Sequence, residues 1–203
     1  MARCYSACVR HRYPPRSLPT QLPALWLVSD ERIDDRMEAA IRRLPRGSGF
    51  IFRHYHLPPA ERRARFEHLA RVARGRGHVV ILSGTVCDAR QWGADGAYGA
   101  AHRLNRGPAA VRLVTAHSLR ELGTASSMRA DAVLLSPVFA TGTHPGARGL
   151  GPVRFRLLAA RARAPVIALG GMDADGARHI GARRWAAIAS LAQPRRRAFP
   201  IHS

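Results

Sequence analysis

The chain has 203 residues, 46% of them hydrophobic and 23% charged, enough for one ordinary globular domain with a sizeable core. Its longest apolar runs, such as residues 24–28 and 79–82, fall far short of the roughly 20 residues a bilayer-spanning helix needs, and 18 Gly with 14 Pro excludes collagenous and low-complexity classes. All 33 basic residues are arginine and 13 carboxylates oppose them, leaving +20. Without lysine, a Schiff base, a Walker lysine and a lysine clamp on a diphosphate are excluded, and any phosphate has to be held by Arg, His, hydroxyls or backbone amides.

Residues 1–23 contain Arg3, Arg10, Arg12 and Arg16, no acid and four prolines, which predicts a disordered, basic N-terminal extension. A second basic tail is expected over residues 194–203, with Arg195, Arg196 and Arg197. Without these seven arginines, 26 remain against all 13 acids, so the body between the tails still carries +13. Cys4, Cys8 and Cys87 make an odd count, which rules out a closed disulfide framework and suits a reducing, cytoplasmic setting. Cys4, Cys8 and His11 mimic part of a zinc spacing, but no second ligand pair follows at suitable distance.

In chain order, short apolar runs at residues 25–29, 49–53, 79–82, 96–98, 112–115, 132–135, 165–169 and 185–189 predict eight strands. Helix-period stretches at 34–44, 59–74, 87–92, 118–128, 153–163 and 173–180 alternate with them, several opened by Ser or Asp as caps. The Gly- and Arg-rich connection 99–111 is not expected to be a regular helix, and a truncated last helix runs into Pro194. Continuous rather than alternating apolar runs suit strands buried on both faces, and the β-then-α rhythm demands parallel pairing through right-handed crossovers. The fold class is therefore α/β, a small TIM (β/α)8 barrel over residues 24–193. An open doubly wound sheet would carry a Gly-rich turn after its first strand, where Ser29-Asp30-Glu31-Arg32 stands instead.

In such a barrel, the loops at the C-terminal ends of the strands form the active face, and loops seven and eight usually hold phosphate. Gly170 and Gly171 follow the seventh strand, and Ala189 and Ser190 end the eighth; these four are candidates for phosphate contacts, although the two glycines could equally serve as a turn. The sixth strand leads into Ser136-Pro137-Val138-Phe139-Ala140-Thr141-Gly142-Thr143-His144-Pro145-Gly146. With two hydroxyls and an imidazole it reads as a substrate loop. Thr115 and His117 end the fifth strand, where His117 could exchange protons near pH 7 or be a packed or surface residue.

Four segments together resemble the thiamine phosphate synthase and TenI family over residues 25–191. They are Leu25-Trp26-Leu27-Val28-Ser29-Asp30, Gly93-Ala94-Asp95-Gly96, Ala130-Asp131-Ala132-Val133-Leu134-Leu135-Ser136-Pro137-Val138-Phe139 with Thr141 and Thr143, and Pro165-Val166-Ile167-Ala168-Leu169-Gly170-Gly171-Met172. The resemblance implies a barrel that joins a phosphorylated thiazole to a pyrimidine diphosphate or, in the TenI branch, shifts protons to aromatise a phosphorylated thiazole. It assigns the thiazole phosphate to Gly170, Gly171, Ala189 and Ser190, and matches Thr141 and Thr143 to the family's loop-six hydroxyls.

The departures are as informative. The synthases' Gln-x-Arg-x-Lys pattern reads Ile51, Arg53 and Tyr55 here, so only Arg53 survives as a substrate ligand. The two positions of the magnesium carboxylates hold Gly84 and Arg103, and the loop-six lysine is His144. Magnesium typically takes one or two carboxylates beside a diphosphate, so no metal and no other cofactor is expected. The expected function is that of a divergent or TenI-like, thiazole tautomerase-type member of thiamine biosynthesis, with His117 as proton carrier. The alternatives are a magnesium-dependent synthase with an altered diphosphate site and a non-catalytic phosphate-binding descendant. A phosphorylated thiazole or thiamine phosphate is the expected small-molecule partner. No membrane and no specific nucleic acid is expected, because only 6% of residues are aromatic and the arginines are scattered as on solvated helix faces.

Overall fold

The computed structural model describes residues 22–107, 109–140 and 149–192. Eight strands, β1 (Leu25–Val28), β2 (Gly49–Phe52), β3 (Val79–Ser83), β4 (Gly96–Gly99), β5 (Val111–Ala116), β6 (Ala132–Leu135), β7 (Val166–Leu169) and β8 (Trp185–Ala187), pair in parallel in sequence order. The β1–β8 pairing, with Leu27 opposite Ala187, closes the barrel. Each strand is followed by a helix: α1 (Asp34–Arg43), α2 (Pro59–Gly75), α3 (Val86–Gln91), α4 (Ala101–Leu104), α5 (Leu119–Ser127), α6 (Gly151–Ala159), α7 (Ala174–Ile180) and α8 (Ala189–Ala192). The expected small TIM barrel is the observed fold.

The two-sided burial that made the strands read as unbroken apolar runs is visible strand by strand. On β3, Val79 and Ile81 point inward with Trp26, Ile51, Leu113 and Leu134 to fill the barrel interior. Val80 and Leu82 point outward onto Phe66 and Leu69 of α2 and Met37 of α1 in the larger cluster between barrel and helices.

Two aspartates close the N-terminal face of the sheet. The Asp95 N–H donates to Val80 O, and the Asp95 carboxylate accepts the Val80 N–H, both at 2.8 Å. Asp131 repeats the device one unit later, donating to Arg112 O at 3.0 Å and accepting the Arg112 N–H at 2.8 Å. Each reciprocal pair satisfies backbone groups that the strand ladder leaves over at its start. In two of the segments that carry the family resemblance, the aspartate is therefore a barrel clip.

Four boundaries differ from expectation. Leu22 already packs against the barrel interior and Pro23 O accepts the Trp26 indole N–H at 2.8 Å, so ordered packing begins before residue 24; residues 1–21 and 193–203 lie outside the described residues. The connection 99–111 holds one helical turn, α4, because fully buried Leu104 pins it and Arg112 Nε donates to Leu104 O at 2.9 Å. The eighth strand stops at Ala187, so Ala189 and Ser190 open the short helix α8 instead of ending β8. The helix expected from residue 153 begins at Gly151, with Pro152 in its first turn, which has no use for the missing N–H.

Candidate functional site

The C-terminal ends of the strands enclose a cavity of about 1140 Å³, the size of a small-molecule site. Its wall is assembled from every strand exit but that of β3: Asp30 after β1, Arg53 and Tyr55 after β2, Tyr98 on β4, His102 and Arg103 on α4, Thr115 and His117 at the end of β5, Ser136 and Pro137 after β6, Gly170 and Gly171 after β7, and Ser190 on α8. Of the residues singled out by sequence, Arg53, Arg103, Thr115, His117, Gly170, Gly171 and Ser190 are brought together here. Ala189 stands at the start of α8. Thr141, Thr143 and His144 lie outside the described residues.

Strand alternation places His117. Val111 and Leu113 point into the barrel, so Thr115 and His117 follow on the same side of the chain and reach the mouth. The imidazole Nδ1 lies 2.6 Å from the backbone carbonyl of Ser136. A carbonyl only accepts, so Nδ1 carries a proton, and in the neutral form of the ring the lone pair is on Nε2. The His117 N–H donates to the Glu121 carboxylate at 2.7 Å, and Ser118 caps α5 immediately behind it, fixing the strand end that presents the ring.

Loops six and seven are packed against each other. Val138 N–H donates to Leu169 O at 2.9 Å, and Phe139 N–H to Gly170 O at 3.0 Å. Gly171 has φ +62°, and a Cβ there would stand 2.7 Å from Ala140 O and 2.8 Å from Phe139 Cβ, so a glycine is required by the loop contact itself. Among the described residues no hydrogen bond takes the Gly170 or Gly171 N–H, which leaves two backbone donors for an anion. Ser190 Oγ donates to Met172 O at 2.8 Å. Its hydroxyl proton is spent on tying loop eight to loop seven, so the contact it offers an anion is its backbone N–H.

The β1, β2 and β4 side of the mouth is cationic and aromatic. Asp30 is held by Arg32, whose Nε donates at 2.6 Å and whose backbone N–H donates at 3.2 Å. Burial alone would raise the Asp30 carboxyl, but these hydrogen bonds hold it below the ordinary range. The Arg53 guanidinium lies 5.8 Å from the Tyr55 ring centre, and Tyr55 shares a short hydrogen bond with Ser83 Oγ. Burial pushes the Tyr98 phenol up to about 12, so it remains a donor at every physiological pH. Sequence reasoning passed over Asp30, Tyr98 and His102. Alternation along β4 from Gly96 was the one signal that turned Tyr98 inward.

The residues present do not make a magnesium site of the family type. Gly84 offers no side chain. The carboxylate nearest to it, Asp88 Oδ2, 3.3 Å from where a Gly84 Cβ would sit, accepts from Thr85 N at 3.0 Å and Thr85 Oγ1 at 2.7 Å as the capping box of α3. Arg103 brings a cation where a carboxylate would be needed. Among the described residues no three His, Cys, Asp or Glu side chains cluster closely enough to hold a metal ion, and no helix is long and apolar enough to cross a membrane.

Comparison with solved structures gives the same architecture. Thiamine phosphate pyrophosphorylase from Pyrococcus furiosus is 22% identical over 84% of this chain and 88% of its own, with a TM-score of 0.71. The thiamine phosphate pyrophosphorylase from Bacteroides thetaiotaomicron is 18% identical over 81% of each chain, with a TM-score of 0.53. An aldolase from Escherichia coli K12, 10% identical over 82% of this chain and 75% of its own, reaches 0.58, so these likenesses speak for the barrel alone. No curated protein sequence matches the chain. The family model described as thiamine monophosphate synthase matches residues 25–191, from the first residue of β1 into α8, and on that match the chain belongs to the thiamine monophosphate synthase family.

Proposed function

We propose that this chain binds a phosphorylated thiazole in the barrel mouth and shifts a proton on it, as a TenI-like member of the family, without a metal ion. The observation that carries the reading is His117. With Nδ1–H given to Ser136 O, Nε2 is the basic atom on the cavity side. It takes a proton from one ring or exocyclic carbon of the thiazole and returns it to another, so the reaction makes and breaks one C–H bond each and needs no co-reactant. The phosphate is held by the Gly170, Gly171 and Ser190 backbone amides, as barrels commonly hold it on loops seven and eight. The absence of carboxylates at Gly84 and Arg103 supports proton transfer over diphosphate displacement, which relies on a metal template.

The test uses a carboxylated thiazole phosphate tautomer as substrate. His117→Asn is expected to slow aromatisation by roughly 100-fold or more with little change in substrate binding, and a chelator is expected to leave the rate of the unaltered chain intact. Robust magnesium-dependent formation of thiamine phosphate would overturn the proposal in favour of a synthase. Tight binding with no turnover of either substrate would overturn it in favour of a non-catalytic descendant.

A further inference from the structure

Behind the cavity wall, the exit of β2 is wired to α1 and α2 by a chain of polar contacts that proton transfer at His117 does not use. The Arg53 N–H donates to Ser29 Oγ at 2.7 Å. Ser29 Oγ lies 2.8 Å from His54 Nδ1, and His54 Nε2 lies 2.7 Å from Asp34 Oδ1. Arg65 closes the chain, donating to the same carboxylate oxygen from Nε at 3.0 Å and from Nη2 at 2.7 Å, and to Asp34 O at 2.9 Å.

The direction of every proton follows. An ionised Asp34 only accepts, so His54 Nε2 carries the hydrogen and a neutral ring leaves Nδ1 bare. Ser29 then donates to Nδ1, and its lone pairs face the Arg53 N–H. The order Ser, His, Asp matches that of nucleophilic hydrolases, but Ser29 is 0% exposed and His54 1%, and the Ser29 oxygen already accepts from Arg53. The chain positions; it does not attack.

What it positions is the kink that carries two mouth residues. His54 sits in the left-handed region at φ +40°, a conformation that costs a non-glycine residue free energy and persists only where the surroundings dictate it. Its ring lies flat on Phe52, centroids 4.7 Å apart and 4° from parallel. With His54 turned into the protein, its neighbours Arg53 and Tyr55 both line the cavity. Among the described residues the Arg53 guanidinium makes no hydrogen bond, so its donors are available to a ligand.

We propose that Asp34, His54 and Ser29 form a positioning relay that fixes the Arg53 backbone and thereby aims its guanidinium as the anion ligand on the β2 side of the mouth. The ligand class is a second anionic group, carboxylate or phosphate, on a substrate whose first phosphate lies on loops seven and eight. The relay rests on the reading of the mouth as an anion site but is independent of proton transfer at His117. It operates only while His54 is neutral: a proton on Nδ1 would turn the Ser29 hydrogen bond around. Burial pushes His54 below its ordinary range. Asp34 on α1 opposes that shift, whereas His56 on the same loop and Arg65 on α2 add to it; Glu31, in the turn before α1, pairs with His56 at 3.3 Å.

Calorimetric titration of the full chain with inorganic pyrophosphate at pH 7.5 tests the relay. Arg53→Gln is expected to weaken binding about tenfold, the scale of one charge-assisted contact. Ser29→Ala is expected to weaken it about fivefold in the unaltered background and not at all in the Arg53→Gln background, and Ser29→Thr, which keeps the hydroxyl, should recover most of the loss. Nitrogen-15 spectra of the unaltered chain should show His54 protonated on Nε2 alone. Additive losses in the double variant, a proton on Nδ1, or no pyrophosphate binding by the unaltered chain would each overturn the relay. An inactive His117→Asn with the pyrophosphate results unchanged would leave it standing.

Discussion

Placing a methyl group on Gly171 separates two reasons for a glycine in loop seven. In Gly171→Ala the backbone N–H survives, so the proposed anion donor is not removed. Two costs arise instead. A φ of +62° is unfavourable for a residue with a Cβ by roughly 1–2 kcal/mol. The new methyl meets Ala140 O at 2.7 Å and Phe139 Cβ at 2.8 Å, and forcing loop six aside costs a further ~1–3 kcal/mol. Gly47 supplies the control, because its φ is +76° and nothing lies within 4 Å of where its Cβ would sit, so Gly47→Ala bears only the first cost. For a chain of this size 1 kcal/mol moves Tm by about 2–4 °C. Gly47→Ala should therefore melt roughly 2–8 °C below the unaltered chain, and Gly171→Ala, which bears both costs, roughly 4–20 °C below it. Differential scanning calorimetry reads the difference, and titration with a thiazole phosphate on the same samples reads the site. Loss of affinity in Gly171→Ala would then come from loop six moving, not from a lost donor. Equal melting temperatures for the two variants would refute the close packing of loops six and seven.

Asp95→Ala removes the acceptor for the buried Val80 N–H and should cost about 1–3 kcal/mol, seen as a lower urea midpoint with thiazole phosphate binding unchanged, since the clip lies on the face of the barrel remote from the mouth. Acid should destabilise the fold in two stages. Burial holds His54 and His78 below the ordinary histidine value of 6.5, so below about pH 6.5 the unfolded chain takes up protons that the folded chain refuses and stability falls with pH. Asp34 is held below its ordinary 3.8, because hydrogen bonds from Arg65 and His54 outweigh the effect of burial; its contribution is complete above that value and is lost as pH falls further. Melting temperatures measured from pH 7.5 to 3 should fall below about pH 6.5 and again below about pH 3.8, and a flat profile between pH 6.5 and 4.5 would show that neither histidine is buried neutral.

The barrel was legible because its strands are apolar on both faces. Val79-Val80-Ile81-Leu82 splits between the interior and α2, and such a run has only one kind of place in an α/β protein. Where the sequence misled, the deciding contact lay far along the chain. The turn α4 depends on Leu104 finding the space between barrel and helices and on Arg112 reaching back to its carbonyl. Local composition, rich in Gly and Arg, argued for a loop. The end of β8 is a similar case: the apolar run continues to Ala189, but pairing stops at Ala187, opposite Leu27 of β1, after β7 has already ended at Leu169 opposite Ala186.

The site was half legible, for a different physical reason. Loop positions follow from strand order, so the double glycine and His117 could be placed at the mouth from sequence. Hydrogen-bond direction could not, because it depends on which group sits opposite. Ser190 is a candidate phosphate contact from sequence, but only the structure shows that Met172 O consumes its hydroxyl proton. Asp88, the carboxylate nearest to Gly84, drew no notice in the sequence, and Thr85 holds it as a helix cap. His54 drew no notice in the sequence, but it is a buried link from Asp34 to Ser29. In each case the function of a polar side chain is set by the donors and acceptors left after its neighbours have been satisfied. Arg53 and the Gly171 amide are notable in this chain because, among the described residues, no hydrogen bond takes the guanidinium or the amide N–H. The proposed anionic ligand and mobile proton rest on that arrangement: a guanidinium on one side of the cavity, two backbone amides on another and the His117 imidazole at the end of β5.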